Sequence, residues 1–310
     1  MPWLDNARIL ELTDVPEHLV ILGGSYIALE FGQIFRRFGA QVTIIERGSQ
    51  LVFREDADVA VAITEILELE GIDVVLDASA VSVAPEREGV ALTIEQAGEQ
   101  RRVIGSHLFV AVGRTPNSDG LKADTAGIEL DDRGFIVVDD YCRTTADGVF
   151  PVGDINGHGA FIHTSVNDAE IVLDQMRGGS RKLSDRFPVY DLFIDPALGR
   201  VGMTEKEAVA KGLNVLTATR RMSQIGRAKE MGETLGFAKL LVDADADTDL
   251  ILGAAILGPG GDEIVNMLAA FMYSGLPCRR YRKSVLVHPT ISELMPWILD
   301  SLKPVESSVG

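Results

Sequence analysis

Cysteine is scarce: the 310-residue sequence holds only Cys142 and Cys278, far apart along the chain. That excludes a disulfide framework and a cysteine metal quartet, and sets a reducing, cytoplasmic compartment as the expectation. Long hydrophobic runs are also lacking. The longest, such as Ile264 to Tyr273, stop well short of the roughly 20 residues that a membrane span requires. The opening Met1-Pro-Trp-Leu-Asp-Asn shows neither a basic nor an apolar leader pattern, so no secretory signal is expected. Basic residues are outnumbered, 29 Lys plus Arg against 46 Asp plus Glu, for a net charge of −17. A surface that acidic repels nucleic acid and anionic lipid, and neither is expected as the main partner. No internal repeat or low-complexity tract interrupts the chain.

What is present reads as a folded α/β protein. An apolar share of 46% with 24% charged residues is near the globular norm, and the length suits about two domains. A short apolar run at Leu19–Leu22 breaks at Gly23-Gly24, and apolar residues at helical spacing follow from Tyr26 to Phe38. Gln41–Glu46 reads as a second strand, Ile63–Leu69 as part of a second helix and Ile72–Leu76 as a third strand. Strand and helix alternating in this way predict a parallel sheet with right-handed crossovers. Between Ala80 and Ile104 the period falls to two, which predicts a small antiparallel insert, before a buried strand at His107–Val112.

From Pro116 to Gly179 the chain is turn-rich, with strands expected at Gly134–Val138 and Gly148–Val152. A third block starts near Phe187. Strands are expected there at Val215–Thr219, Gly236–Val242 and Leu250–Leu257, with helices at Glu205–Lys211, Asp262–Tyr273 and Ile291–Leu302. Thr204 and Glu207 have the spacing of a capping box. The alternating acids of Asp243–Asp249 invite a calcium reading, but an EF-hand loop would want Gly at 248 and Glu at 254, where Thr248 and Ala254 stand. A solvated turn between two strands is expected instead.

The turn at Gly23 has the features of a dinucleotide-binding motif. Backbone N–H groups at the start of the following helix would face a pyrophosphate, with the helix dipole favouring its charge. Ala28 is the small residue that lets helix approach strand. The middle glycine of the G-x-G-x-x-G/A pattern is replaced by Ser25. Glu46, closing the second strand, has the position of the acid that hydrogen-bonds ribose hydroxyls and repels a 2′-phosphate, which favours NAD(H) over NADP(H); Arg47 beside it works the other way.

Four blocks in order carry a resemblance to a family: Gly23-Gly-Ser-Tyr-Ile-Ala-Leu-Glu30, Ala111-Val-Gly-Arg-Thr-Pro-Asn117, Val152-Gly-Asp-Ile-Asn156 and His288-Pro-Thr-Ile-Ser-Glu293. The chain resembles the flavin-dependent class I pyridine nucleotide–disulfide oxidoreductases, which include dihydrolipoamide dehydrogenase, glutathione reductase and mercuric reductase. The resemblance implies a Rossmann-like nucleotide-binding domain over 19–114, preceded at 1–18 by a linker remnant. It further implies part of an FAD domain over 115–185 and an α+β dimerisation domain over 186–310. Gly23, Gly24, Ser25, Tyr26, Ile27, Glu30 and Glu46 would bind the nicotinamide nucleotide, with Tyr26 as an aromatic gate over the flavin and Glu30 near the carboxamide. Gly113, Arg114 and Asp154, with Ala160, Phe161, Ile162 and His163 at a helix start, would bind FAD. His288 and Glu293 would be the catalytic acid–base pair, serving the other subunit of a homodimer. No metal site is expected.

Two departures shape the expected function. A first glycine motif and a redox C-x-x-x-x-C do not occur in the sequence, and the segment 305–310 lacks paired cysteines. The expectation is therefore a C-terminal portion of such an enzyme, lacking an N-terminal flavin-binding half. In the intact enzyme hydride would pass from NAD(P)H to FAD and electrons on to a dithiol or a metal substrate. The alternative is a non-catalytic NAD-binding, dimerising module.

Overall fold

A computed structural model describes residues 3–87, 89–245 and 248–305. It divides into two units, Met1–Val112 with Pro188–Gly310, and Gly113–Phe187.

The first half of the larger unit contains β1 (Trp3–Leu4), β2 (His18–Leu22), α1 (Tyr26–Arg37), β3 (Gln41–Ile45), α2 (Ala57–Leu69) and β4 (Asp73–Val75). An antiparallel insert follows, made of β5 (Ala78–Glu86), β6 (Gly89–Gln96) and β7 (Glu99–Gly105), and the chain then returns as β8 (His107–Val110). The parallel sheet has the order β1-β8-β2-β3-β4. Leu19, Val20 and Ile21 are all fully buried, as expected for a central parallel strand covered on both faces.

The second half of this unit is a six-stranded antiparallel sheet. Its strands are β9 (Val189–Leu192), β10 (Leu198–Gly202), β11 (Val215–Arg221), β12 (Phe237–Asp243), β13 (Ile251–Leu257) and β14 (Lys303–Pro304), in the order β14-β11-β12-β13-β10-β9. The helices α4 (Glu205–Ala210), α5 (Gly226–Met231) and α6 (Gly261–Tyr273) belong to it, while α3 (Ile162–Met176) lies in the smaller unit. Leu192, Leu198, Phe237 and Leu257 share one apolar cluster with Leu29, Ile44, Ile63 and Phe109, so parallel and antiparallel sheets bury a common core. The capping box forms as read, with Glu207 N donating to Thr204 Oγ1 at 3.1 Å and Thr204 N to Glu207 Oε2 at 2.9 Å.

Some expected elements differ. The helix expected over Ile291–Leu302 is three short turns, Ser292–Leu294, Met295–Ile298 and Leu299–Ser301, because Pro296 removes a donor inside it. The strands expected at Gly134–Val138 and Gly148–Val152 do not form. In the first, Phe135 N bonds the Asp131 carboxylate, Ile136 N the Ile155 carbonyl and Val137 N the Glu129 carbonyl, with an isolated bridge between Leu130 and Ile136; in the second, Val149 N bonds the Ala146 carbonyl. Within that smaller unit the core is slight: Cys142, Ile171, Val172 and Leu183, with Val138 and Phe150 against them. The acidic segment Asp243–Asp249 lies between β12 and β13, and the turn expected there includes residues 246 and 247, which lie outside the described residues, as do 306–310. Among the described residues no helix is long and apolar enough to cross a membrane.

Candidate functional site

The turn after β2 is built from below by its neighbours. Gly23 has φ +111°, and a Cβ there would lie 2.5 Å from the carbonyl oxygen of Ala111, so only glycine fits. A Cβ on Gly24 would meet the Leu51 side chain at 2.7 Å. Ser25, in contrast, is extended at φ −110°, which any residue adopts, so the missing middle glycine costs the backbone nothing. Helix α1 then starts without a side-chain cap and without an acid in its first turn. An anion approaching that end meets the positive pole of the helix and no carboxylate from the helix's own first turn.

Glu46 stands beside this turn with both oxygens engaged. Its Oε2 accepts from the Gly24 amide and its Oε1 from the Gly48 amide, each at 2.7 Å. A carboxylate offers about four lone-pair directions, so it can still accept ribose hydroxyls while bracing the loop. Ile27 packs against the main core. Glu30 accepts from the Phe193 amide at 2.9 Å, and burial raises its pKa despite that bond.

Tyr26 is held by groups that the sequence did not single out. Its hydroxyl donates to Glu55 Oε1 at 3.3 Å, and the Tyr190 hydroxyl donates to the same oxygen at 2.7 Å. The two rings meet edge-on, 5.7 Å apart. Glu55 is fully buried, with Arg200 Nε 3.4 Å from its Oε2 and Arg200 itself 2% exposed. Burial, Tyr190 and Glu55 all push the Tyr26 phenol far above its ordinary range. Asp56 continues the network to Arg200 at 3.4 Å and to Lys239 at 3.2 Å, and accepts the Glu205 and Lys206 amides. Burial alone would raise the Asp56 pKa; Lys239, those amides and Arg200 together bring it below its usual range. Charged residues embedded in apolar strands, Arg200 in β10 and Lys239 in β12, were the signal for this network.

In the smaller unit Gly113 has φ +145°, and Arg114 pairs with Asp154 at 2.6 Å while also reaching the Ala160 carbonyl at 3.5 Å. Asp154 sits on a single 3-10 turn whose shape depends on a residue outside the recognised motif. Asp168, 1% exposed, accepts from Gly153 N at 2.9 Å and Asn156 Nδ2 at 2.8 Å, and pairs with Arg186 at 2.6 Å. Phe161 precedes α3 and stacks on His163, 5.4 Å between centroids; Ile162 is almost wholly exposed.

His288 and Glu293 form a separate pair. His288 Nδ1 lies 2.9 and 3.0 Å from the two carboxylate oxygens, the imidazole is 79% exposed, and the carboxylate is largely buried. Since an ionised carboxylate only accepts, Nδ1 is the ring nitrogen that donates.

The chain matches the pyridine nucleotide-disulphide oxidoreductase family over residues 2–169 and that family's dimerisation domain over 190–299. The chain belongs to the pyridine nucleotide-disulphide oxidoreductases. It is 38% identical over 291 residues to the probable pyridine nucleotide-disulfide oxidoreductase RclA of Escherichia coli, covering 93% of this chain and 65% of RclA. It is 31% identical to the dihydrolipoyl dehydrogenase of Geobacillus stearothermophilus, covering 94% of this chain and 62% of that enzyme. The solved structure of the HOCl-induced flavoprotein disulfide reductase RclA from Escherichia coli superposes with TM-score 0.88 at 35% identity, over 96% of this chain and 68% of that one. The chain thus spans somewhat under two thirds of the length of these curated relatives. Against the expectation of a chain lacking an N-terminal flavin-binding half, the family's oxidoreductase domain is matched from residue 2 and its dimerisation domain follows.

Proposed function

We propose that the chain binds a nicotinamide dinucleotide at the Gly23–Glu30 turn, as the nucleotide-binding part of a flavin-dependent oxidoreductase. The observation that carries this reading is the uncapped, acid-free start of α1 beside a glycine turn braced by Glu46. The helix N-terminus takes the pyrophosphate, and Glu46 takes the adenosine ribose hydroxyls, favouring NAD(H) over NADP(H) by repulsion of a 2′-phosphate. Glu30 lies toward the nicotinamide end and Tyr26 marks its mouth.

The residues Gly113, Arg114, Asp154, Ala160, Phe161, Ile162 and His163 contribute to the FAD site. Asp154 accepts ribityl hydroxyls, and Arg114 holds its carboxylate in place. Bound FAD supplies the two-electron relay between NAD(P)H and the terminal acceptor, a dithiol or a metal substrate. His288 moves a proton at Nε2, oriented by Glu293, in a cytoplasmic homodimer joined through residues 190–299.

A second reading, a nucleotide-binding module without redox turnover of its own, is favoured by the two thiols. Both are buried; burial and Asp168 push Cys142 up to about 11, and burial and Asp249 push Cys278 up to about 12. Calorimetric titration with NADH and NADPH tests the first reading, which requires NADH to bind more tightly. Absence of binding by either sinks it. Reduction of added FAD by NADH separates turnover from the module reading.

A further inference from the structure

The segment Leu51–Asp56 touches both the nucleotide turn and the antiparallel block. On one side Val52 N donates to the Gly24 carbonyl at 2.8 Å, and Leu51 closes the space against Gly24. Val52 makes that bond at φ +43°, a left-handed conformation that a β-branched side chain strongly resists. Such a conformation persists only where the surroundings over-determine it. Here they do: Glu55 N bonds the Val52 carbonyl at 2.7 Å, Gln50 Nε2 and Lys206 Nζ bond the Glu55 carbonyl, and Lys206 Nζ also bonds the Phe53 carbonyl.

On the other side the fixed charges come from the antiparallel block. Arg200 of β10 faces Glu55 and Asp56, Lys239 of β12 faces Asp56, and Tyr190 of β9 donates to Glu55. Glu55 in turn holds the Tyr26 hydroxyl at the first residue of α1. The turn is therefore gripped twice, at the Gly24 carbonyl and at the Tyr26 side chain, by one short segment whose carboxylates Glu55 and Asp56 pair with Arg200 and Lys239 of the antiparallel sheet.

From this geometry we infer that Leu51–Asp56 is a clamp through which the antiparallel block sets the conformation of the dinucleotide turn, with Glu55 as its positioning residue. The inference deepens the proposed nucleotide site and rests on that reading for its consequence in binding. Tyr190 has a specific part: because Glu55 Oε1 accepts from both hydroxyls, Tyr190 orients the carboxylate that holds Tyr26.

The test compares the wild-type chain with Tyr190→Phe and Glu55→Gln by amide hydrogen exchange and by calorimetry with NADH. Tyr190→Phe removes one hydroxyl and keeps every charge, so it preserves the test if Glu55→Gln, which leaves Arg200 short of a partner, fails to fold. Exchange over residues 19–30 is expected to accelerate in the variants while β11–β13 is unchanged. NADH affinity is expected to fall about threefold to tenfold, the worth of one hydrogen bond. Unchanged exchange at 19–30, or acceleration spread evenly through the antiparallel block as in simple destabilisation, overturns the clamp. Local acceleration in a chain whose wild type binds no NADH supports the clamp and refutes the dinucleotide reading, so the two failures are distinct.

Discussion

The Glu46 carboxylate lies 2.7 Å from the amide nitrogen of Gly24, inside the turn whose ligand it is proposed to select. It has two tasks, and substitution separates them. Glu46→Gln retains one carbonyl acceptor for the loop and removes the charge that repels a 2′-phosphate. NADH binding is expected to weaken severalfold while NADPH binding improves relative to it. Glu46→Ala releases both amides and is expected to destabilise the larger unit by about 1–3 kcal/mol. Titration with both nucleotides and denaturant unfolding check these outcomes; an unchanged NADH to NADPH ratio in Glu46→Gln removes the selectivity argument.

Asp168 is the pivot of the smaller unit, buried against Arg186 with Gly153 and Asn156 bonded to it. Asp168→Ala strands the Arg186 guanidinium and is expected to cost about 3–5 kcal/mol, a large loss for so slight a core. Because the Asp154 turn hangs on the same carboxylate, proteolysis should begin within 150–160 before the larger unit unfolds. Limited digestion with mapping of the first cut reads this directly.

His288 has little to do with folding. Its imidazole is 79% exposed, and Glu293 is its hydrogen-bond partner. His288→Gln should leave stability within about 0.5 kcal/mol, as surface substitutions do. Glu293→Gln is expected to weaken the tautomer with the proton on Nδ1. Nitrogen-15 spectra of the ring resolve the two tautomers; a ring indifferent to the substitution would deny Glu293 its orienting role.

Asp191 on β9 gives the fold a pH dependence. Its Oδ1 is buried with no hydrogen-bond partner among the described residues, and burial together with Asp262 and Glu263 raises its pKa from 3.8 to about 6. The folded state therefore binds this proton more tightly than the unfolded chain. Its stabilising effect is complete below pH 3.8 and is lost as pH rises through about 6. Allowing for partial solvent screening, the loss is about 1–2 kcal/mol. Asp191→Asn is expected to match the wild type near pH 4 and to exceed it by about that amount above pH 7. Thermal unfolding across this range decides it, and a constant difference at all pH values would contradict the assignment.

Much of the fold was legible because it rests on local pattern. Leu19–Leu22, the Gly23 break and the helical spacing after Tyr26 fix a strand, a turn and a helix whatever surrounds them, and the period-two stretch before Ile104 forms its antiparallel insert. Less legible were elements in which a turn bond or a proline overrides a regular pattern. Gly134–Val138 alternates like a strand, yet its amides bond Asp131, Ile155 and Glu129 in place of a neighbouring strand, and Ile291–Leu302 has helical spacing that Pro296 divides.

The glycine turn and the His288–Glu293 pair were readable because their members lie within a few residues of one another or at a fixed offset from a strand end. The Tyr26–Glu55–Tyr190–Arg200 network was not, since its residues are brought together from α1, the loop before α2 and two strands of the other sheet. By itself the sequence determined the family and the strand, turn and helix around Gly23, which follow from short-range spacing. Only the tertiary structure decided which buried charges compensate one another, and so which segment holds that turn in place, because desolvation makes such partners obligatory but leaves no trace of their pairing along the chain.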